Sequence, residues 1–523
     1  MLVPSDASAD VRPTSAARRA VQSIGLVLGP VAAVIAYRLL EDAGTEPLSP
    51  DGRAVAAVGV WMAVWWLTEA VNVSVTALLP IGLLPLTGAQ TVAETTAPYA
   101  SPLIFLFLGG FVLALSMQRW DLDERIALLT VRFVGERPGQ IVGGFMLATA
   151  VMSMWVSNTA TVAMMLPIAL SVSALVRRLD RDAGGGSLGA GPGGRGPIGS
   201  DDAAATGGAF GVCLMLGIAY AASIGGLGTI IGTPPNLFVA SYLRDTVGVE
   251  ISFVRWMVFG VPLVVVFLPV TWLLLTRVLF GLSRDPVEGA REMAQERYAG
   301  LGTMSRGEWS TLAVFCVTAL AWVLRPVLVE LRIGGAQPLA GLDDTGIAVL
   351  AALALFVLPV DIRRREFVMD WRSAERLPWG VLLLFGGGLS LASAIERSGV
   401  GDWIGAGVAQ VGALPVVLLI ALVCAIVVAL TELTSNTATT AAFVPVLAAA
   451  APALGIDPAL MVIPVALAAS AAFMMPVATP PNAIVFASGQ VTIPQMLRAG
   501  IWLNLITVGL VTTVAMVLLP RVL

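Results

Sequence analysis

Apolar residues in this chain gather into runs of about 20 positions separated by short polar stretches, long enough for each run to cross a bilayer core of roughly 30 Å as one helix. The pattern predicts spans at residues 22–40, 54–70, 73–88, 101–118, 207–246, 253–282, 309–331, 345–360, 377–398, 459–488 and 497–518. Two further apolar regions, 139–176 and 412–450, are each interrupted halfway by a polar cluster. Each of these reads either as two spans or as a re-entrant hairpin whose tip stops inside the membrane. The expected fold is an all-α polytopic membrane protein of about eleven transmembrane helices with two re-entrant hairpins.

Composition agrees with that class. Hydrophobic residues make up 57% of 523 positions and charged residues 12%, about half the charge of a soluble domain. Every basic residue is Arg, and the chain has no Lys and no His. The missing His removes the usual proton shuttle and the commonest metal ligand, so zinc chemistry, Ser-His-Asp catalysis and His relays lose their central residue. Cys213, Cys316 and Cys424 stand apart in apolar stretches and read as small hydrophobes inside helices. No enzyme, cofactor or nucleic-acid partner is expected. The polar residues 1–20 lead into an apolar run without a small-residue cleavage site, which reads as a retained first span.

Arginine favours cytoplasmic loops. It is dense before residue 20 and at 119–137, 177–195, 284–306 and 361–376, whereas 41–52, 89–99 and 332–344 are acidic or poor in Arg. Eleven spans and two hairpins put all five Arg-rich stretches on one face, with the N-terminus cytoplasmic in a bacterial or archaeal inner membrane. Two full crossings at each interrupted region satisfy the same rule. The Gly-rich stretch within 177–206 reads as a flexible cytoplasmic loop. It lacks the Gly-Lys-Ser/Thr of a phosphate-binding loop.

The chain repeats itself. Leu108-Gly-Gly110, Ser157-Asn-Thr-Ala-Thr161 and Thr233-Pro-Pro-Asn236 are followed, in the same order, by Phe385-Gly-Gly387, Ser435-Asn-Thr-Ala-Thr439 and Thr479-Pro-Pro-Asn482. Five crossings separate equivalent points, so the halves are expected to lie inverted, an arrangement that recurs in secondary transporters. The expected units are 1–53, an N-terminal segment with the first span; 54–282, the first repeat; 283–308, a cytoplasmic linker helix; and 309–523, the second repeat.

Ser-Asn-Thr supplies hydroxyl and amide oxygens suited to Na⁺, and a helix that starts after a break offers free amides and a positive dipole end to an anion. Two prolines in Thr-Pro-Pro-Asn remove two donors and free carbonyls beside a hydroxyl. The plainer alternative, hydrogen bonds between helices and simple kinks, suits a single cluster better than two identical strings that each occur twice. Glu69 and Glu432 lie within apolar stretches, where a carboxylate is expensive and often functional. Cation attraction and plain hydrogen bonding are both open for Glu432, and neither residue is assigned to the site.

From about Val60 onward the chain resembles the divalent anion:sodium symporters, carriers of di- and tricarboxylates and, in some members, sulfate. Trp65-Trp-Leu-Thr-Glu-Ala70 and Thr76-Ala-Leu-Leu-Pro80 look like the family's early span. Ala469-Ser470-x2-Phe473-x2-Pro476-Val477-Ala478-x3-Asn482-x-Ile484-Val485 is similar to its signature. The resemblance implies a homodimer in the lipid membrane, with mobile domains moving as an elevator and Ser-Asn-Thr at the hairpin tips. It also implies one sodium site at Ser153, Ser157, Asn158 and the backbone of Gly232, and a second at Thr431, Ser435, Asn436 and the backbone of Ala478. The anion is then expected at Asn158, Thr159, Asn436 and Thr437, with Thr233, Thr479 and Pro480 lining the other side. The expected activity is Na⁺-coupled symport of C4-dicarboxylates such as succinate, malate or fumarate, with Na⁺ as coupling ion. Sulfate or tricarboxylate symport and sodium-independent dicarboxylate exchange are the alternatives.

Overall fold

The computed structural model describes residues 16–41, 48–132, 135–182, 208–283, 285–287, 295–296, 298–332, 336–409 and 414–523. Within them the chain is mostly helical; a two-stranded hairpin pairs Pro359–Asp361 with Glu366–Phe367. Helix starts follow simple rules. Pro50, Pro102, Pro138, Pro234, Pro458 and Pro480 each stand at the first helical position, where a missing N–H has no partner to lose.

The first half runs through α1 (Ala16–Leu39), α2 (Pro50–Thr68), α3 (Pro102–Arg119), α4 (Leu122–Arg132), α5 (Pro138–Ser153), α6 (Asn158–Asp182), α7 (Gly208–Gly226), α8 (Pro234–Tyr242) and α9 (Phe253–Leu273). Short helices at Val73–Thr76, Leu79–Leu86 and Val92–Thr96 join α2 to α3. The second half runs through α10 (Arg306–Leu328), α11 (Asp344–Val357), α12 (Trp379–Arg397), α13 (Val400–Ala409), α14 (Val416–Thr431), α15 (Asn436–Ala450), α16 (Pro458–Ala469), α17 (Pro480–Ala487) and α18 (Ile493–Val517).

Eight helices among the described residues are long and apolar enough to cross a membrane. One of them, Asn158–Arg177, lies within an interrupted region. Several predicted spans are shorter than the pattern implied: 73–88 is two short helices, 345–360 is the 14-residue α11, and 459–488 is broken after the 12-residue α16. Both interrupted regions are pairs of helices meeting at a short turn. The 16-residue α5 and α14 reach only about 24 Å at ~1.5 Å per residue, less than a hydrocarbon core of roughly 30 Å.

Two boundaries differ from expectation. Helix α6 continues to Asp182, so the Gly-rich loop does not begin at 177; residues 183–207 lie outside the described residues. The linker is not one helix over 283–308. Residues 285–287 are non-helical, 288–294 lie outside the described residues, and α10 already begins at Arg306. A reciprocal cap sets that start: Ser305 Oγ accepts from Glu308 N at 3.1 Å and Glu308 Oε2 accepts from Ser305 N at 2.6 Å.

Helices carrying the repeat motifs pack backbone to backbone. A methyl group added at Gly225 of α7 would stand 2.2 Å from the Ala150 carbonyl oxygen of α5, and one at Gly387 of α12 would stand 2.2 Å from that of Ala77. Small residues let helices approach this closely in a setting where packing, and not hydrophobic exclusion, holds them together. By contrast, α1 and α10 present many apolar side chains outward, including Val27, Val34, Val317 and Val327, as a face in contact with acyl chains would.

Polar clasps tie the halves at either end. Arg325 of α10 reaches Asp344 at 3.3 Å and Glu250 at 3.5 Å, while Asp344 Oδ2 accepts from Phe253 N at 2.9 Å. Arg125 of α4 pairs with Glu308 at 2.5 Å and donates to the carbonyls of Leu301 and Gly302. Glu69 closes α2 as a left-handed C-cap, at φ 47° and ψ 38°.

The close approach at Gly225 gives a direct test. Gly225→Ala should sharply lower the yield of monodisperse protein in detergent, because the obstructing atom is backbone. Gly82→Ala should leave it unchanged, since nothing lies within 4 Å of the added methyl. Size-exclusion chromatography of the two variants checks this, and equal yields would refute the packing argument.

Candidate functional site

Two runs that hydropathy reads as single spans are broken just before Thr-Pro-Pro-Asn. Helix α7 ends at Gly226 and α8 begins at Pro234; α16 ends at Ala469 and α17 begins at Pro480. Paired prolines cannot donate to the preceding turn, so carbonyls there lose their helical partners. The Asn that closes each motif supplies replacements. Asn236 Nδ2 donates to Gly226 O and Thr229 O, both at 2.9 Å. In the second half Asn482 Nδ2 donates to Ala472 O at 3.1 Å and Met475 O at 3.0 Å. The two asparagines are fully buried, and the Oδ1 atom of each has no hydrogen-bond partner.

A helix–turn–helix tip lies beside each break. In the first, Ser153 Oγ stands 2.5 Å from Asn158 Oδ1 and 2.7 Å from Ala222 O. In the second, Thr431 Oγ1 stands 2.7 Å from Asn436 Oδ1 and 2.7 Å from Ala469 O. One hydroxyl hydrogen cannot serve two acceptors fully, so each tip gathers three oxygens with one proton among them. Neutral oxygens crowded in this way are the ligand type that hard cations take.

The backbone of Gly232 closes on the first cluster. A methyl at Gly226 would meet Asn158 Oδ1 at 2.9 Å and Gly232 O at 3.1 Å, so these two oxygens lie on the same side of Gly226. The corresponding places in the second half hold Ala472 and Ala478, both buried.

The remaining predicted residues are less tightly joined. Thr233 Oγ1 lies 3.5 Å from Ser470 Oγ, which sets the break of one half beside that of the other. Thr479 Oγ1 accepts from Asn482 N at 3.3 Å as the N-cap of α17. Ser157, the residue just before α6, accepts at Oγ from Ala160 N at 3.3 Å. Ser435, Asn436 and Thr437 are half-buried at the start of α15, and Thr159 and Pro480 are exposed. Thr159, Thr437 and Pro480 make no hydrogen bond to another predicted site residue among the described residues.

Asn236 and Asn482 were legible as the last letters of the repeated motif, although the site residues predicted from sequence stop short of them. Ser470 and Tyr220 carry no such repetition; Tyr220 OH donates to Phe473 O at 2.9 Å and joins α7 to the second break.

Glu432 resolves into a hydrogen-bonding role. Its Oε1 accepts from Phe473 N at 2.7 Å, Met474 N at 2.9 Å and Asn504 Nδ2 at 2.8 Å. Its Oε2 accepts from Met474 N at 3.0 Å and Met475 N at 3.1 Å. The carboxylate therefore holds the amides left free where α16 unwinds. In the first half the corresponding residue is Met154, whose carbonyl accepts from Thr229 Oγ1 at 2.5 Å. Each buried donor stranded without an acceptor costs about 1–3 kcal/mol, so Glu432→Ala should lower the thermal unfolding midpoint in detergent markedly. Glu432→Gln, which keeps one acceptor, should lower it less. An unchanged midpoint in Glu432→Ala would overturn this role.

Residues 31–520 match the family described as sodium:sulfate symporter transmembrane region. The proteins called sodium-dependent dicarboxylate transporter SdcS, from Staphylococcus saprophyticus and Staphylococcus aureus, are each 37% identical over 503 residues, covering 96% of this chain and 92% of the relative. The solved structure of the Alcanivorax borkumensis YdaH transporter is similar in fold, with a TM-score of 0.52 and 15% identity, covering 96% of this chain and 98% of that one. These relatives are transporters, not enzymes.

Proposed function

Since this chain belongs to the sodium:sulfate symporter family, we propose that it is a secondary transporter that couples Na⁺ entry to uptake of a C4-dicarboxylate such as succinate, malate or fumarate. It is a multi-pass membrane protein, read here as a homodimer in the cytoplasmic membrane with its N-terminus inside. The observation that carries the reading is the pair of three-oxygen clusters, Ser153–Asn158–Ala222 and Thr431–Asn436–Ala469. The names of the Staphylococcus relatives support both the ion and the substrate class.

Na⁺ at each cluster would replace the shared proton contacts with ion–oxygen contacts. Ser153, Ser157, Asn158 and Gly232 O serve one ion, and Thr431, Ser435, Asn436 and Ala478 O the other. The anion then sits against Asn158, Thr159, Asn436 and Thr437, with Thr233, Thr479 and Pro480 opposite. Every side chain in this set is neutral, so bound Na⁺ and the amide-rich starts of α6 and α15 supply the positive potential. The two helix–turn–helix units and the two broken helices form the moving body in an elevator cycle. Support for treating them as one body comes from the bonds that link the breaks, Asn236 and Asn482 within each half and Tyr220 between halves.

Two measurements check the reading. Purified protein in liposomes should accumulate labelled succinate under an inward Na⁺ gradient and lose more than about tenfold of that rate, or ~1.4 kcal/mol, when choline replaces Na⁺; equal rates would sink the coupling. Asn158→Ala and Asn436→Ala should each abolish uptake while eluting as folded protein, and retained uptake in both would refute the site.

A further inference from the structure

A cavity of about 310 Å³ opens between the start of α5, at the opposite end of that helix from Ser153, and the segment from Trp272 to Ser283 that ends and follows α9. Among the described residues its walls include Arg137, Gln140, Trp272, Thr276, Arg277 and Ser283. Trp272 Nε1 donates to Gly139 O at 2.7 Å, which pins the two helices together at the cavity floor. Neither Arg137 nor Arg277 forms an ion pair among the described residues, and both are exposed. Asp285 accepts from Ser283 Oγ at 2.6 Å beside the cavity; among the described lining residues the charged groups are the two guanidiniums.

Position selects the occupant. Arg277 lies two residues before the end of the apolar stretch Phe253–Leu279, and Arg137 directly precedes α5. Both charges therefore stand at the level where hydrocarbon gives way to water. The outer face of the apolar stretch Phe253–Leu279 is exposed, through Val278, Leu273, Val266 and Val265. A cation pair over an apolar track complements a molecule with an anionic head and acyl tails. The volume equals about ten waters of ~30 Å³ each, enough for a phosphodiester with its glycerol. The positive end of the 16-residue α5 adds to the attraction, and basic pockets between membrane helices are a recognised setting for anionic headgroups.

We propose that this cavity is a binding site for the phosphate headgroup of an anionic phospholipid, held by Arg137 and Arg277 with its tails along α9. Occupancy braces the base of the α5 arm, whose far end carries Ser153 and the first oxygen cluster.

The test uses the full chain in detergent, titrated with phosphatidylglycerol, phosphatidylcholine or inorganic phosphate, and read by thermal unfolding and native mass spectrometry. Phosphatidylglycerol should raise the unfolding midpoint and be retained in preference to phosphatidylcholine. Arg137→Gln/Arg277→Gln should lose at least about tenfold of that preference. Arg364→Gln, which removes an arginine from the exposed tip of the strand pair, should keep it. Equal effects of the two lipids, an unchanged preference in the double variant, or an equal loss in Arg364→Gln would each overturn the proposal. Inorganic phosphate reproducing the shift by itself would assign the cavity to a free anion and overturn it as well. Elution of the double variant as folded protein separates lost binding from lost structure.

Discussion

Two carboxamides, Asn236 and Asn482, make the rest of the architecture possible. An unwound helix inside hydrocarbon exposes backbone groups that no solvent can satisfy, each at several kcal/mol. The Nδ2 group of each Asn collects two such carbonyls, from Gly226 and Thr229 in one half and from Ala472 and Met475 in the other. With those tied, the remaining carbonyls of the break can face an ion. The same bonds fix the start of α8 and α17 relative to the end of α7 and α16, and so fix where Thr233 and Thr479 stand.

Around that pair the oxygen clusters follow from local chemistry. A hydroxyl at the last residue of α5 or α14 reaches the first residue of the next helix, because a turn of a few residues brings the two ends together. A carbonyl of the neighbouring helix completes each cluster. The halves differ in how closely backbone approaches: Gly226 and Gly232 lie against one another, whereas Ala472 and Ala478 occupy the same places in the second half. The two clusters share their types of oxygen, a hydroxyl, a carboxamide and a backbone carbonyl.

Much of this was legible in the sequence, for identifiable reasons. Hydropathy reports length and apolarity, so α3, α9, α10, α12 and α18 lie where the pattern put them. The breaks were legible because Pro-Pro removes donors at fixed positions, and repetition of the motif marked them as more than kinks. Hydropathy cannot register that a run such as 459–488 is two helices with ten residues of other backbone between them, since the intervening Ala, Phe, Met and Val are as apolar as the helices. Helix ends set by capping were missed for a related reason: the Ser305–Glu308 cap is a polar feature in a polar stretch and leaves no mark on apolar periodicity. Contacts between halves, such as Tyr220 with Phe473 or Arg325 with Glu250, join positions far apart in the chain, and no local pattern carries them.

Glu432 decides how charge is balanced at the centre. An ionised carboxylate offers about four lone-pair positions, and three backbone amides and the Asn504 carboxamide already engage both of its oxygens. A group so engaged has no oxygen left to ligate a cation. The two clusters beside it are built from neutral oxygens, so on the proposed reading no carboxylate of the protein ligates a Na⁺ bound there. On that reading the charged group that meets the ion directly is the transported anion. Coupling is then reciprocal, each ion raising the affinity for the other by the same factor, and it rests on a set of site residues that includes no Arg and no free carboxylate.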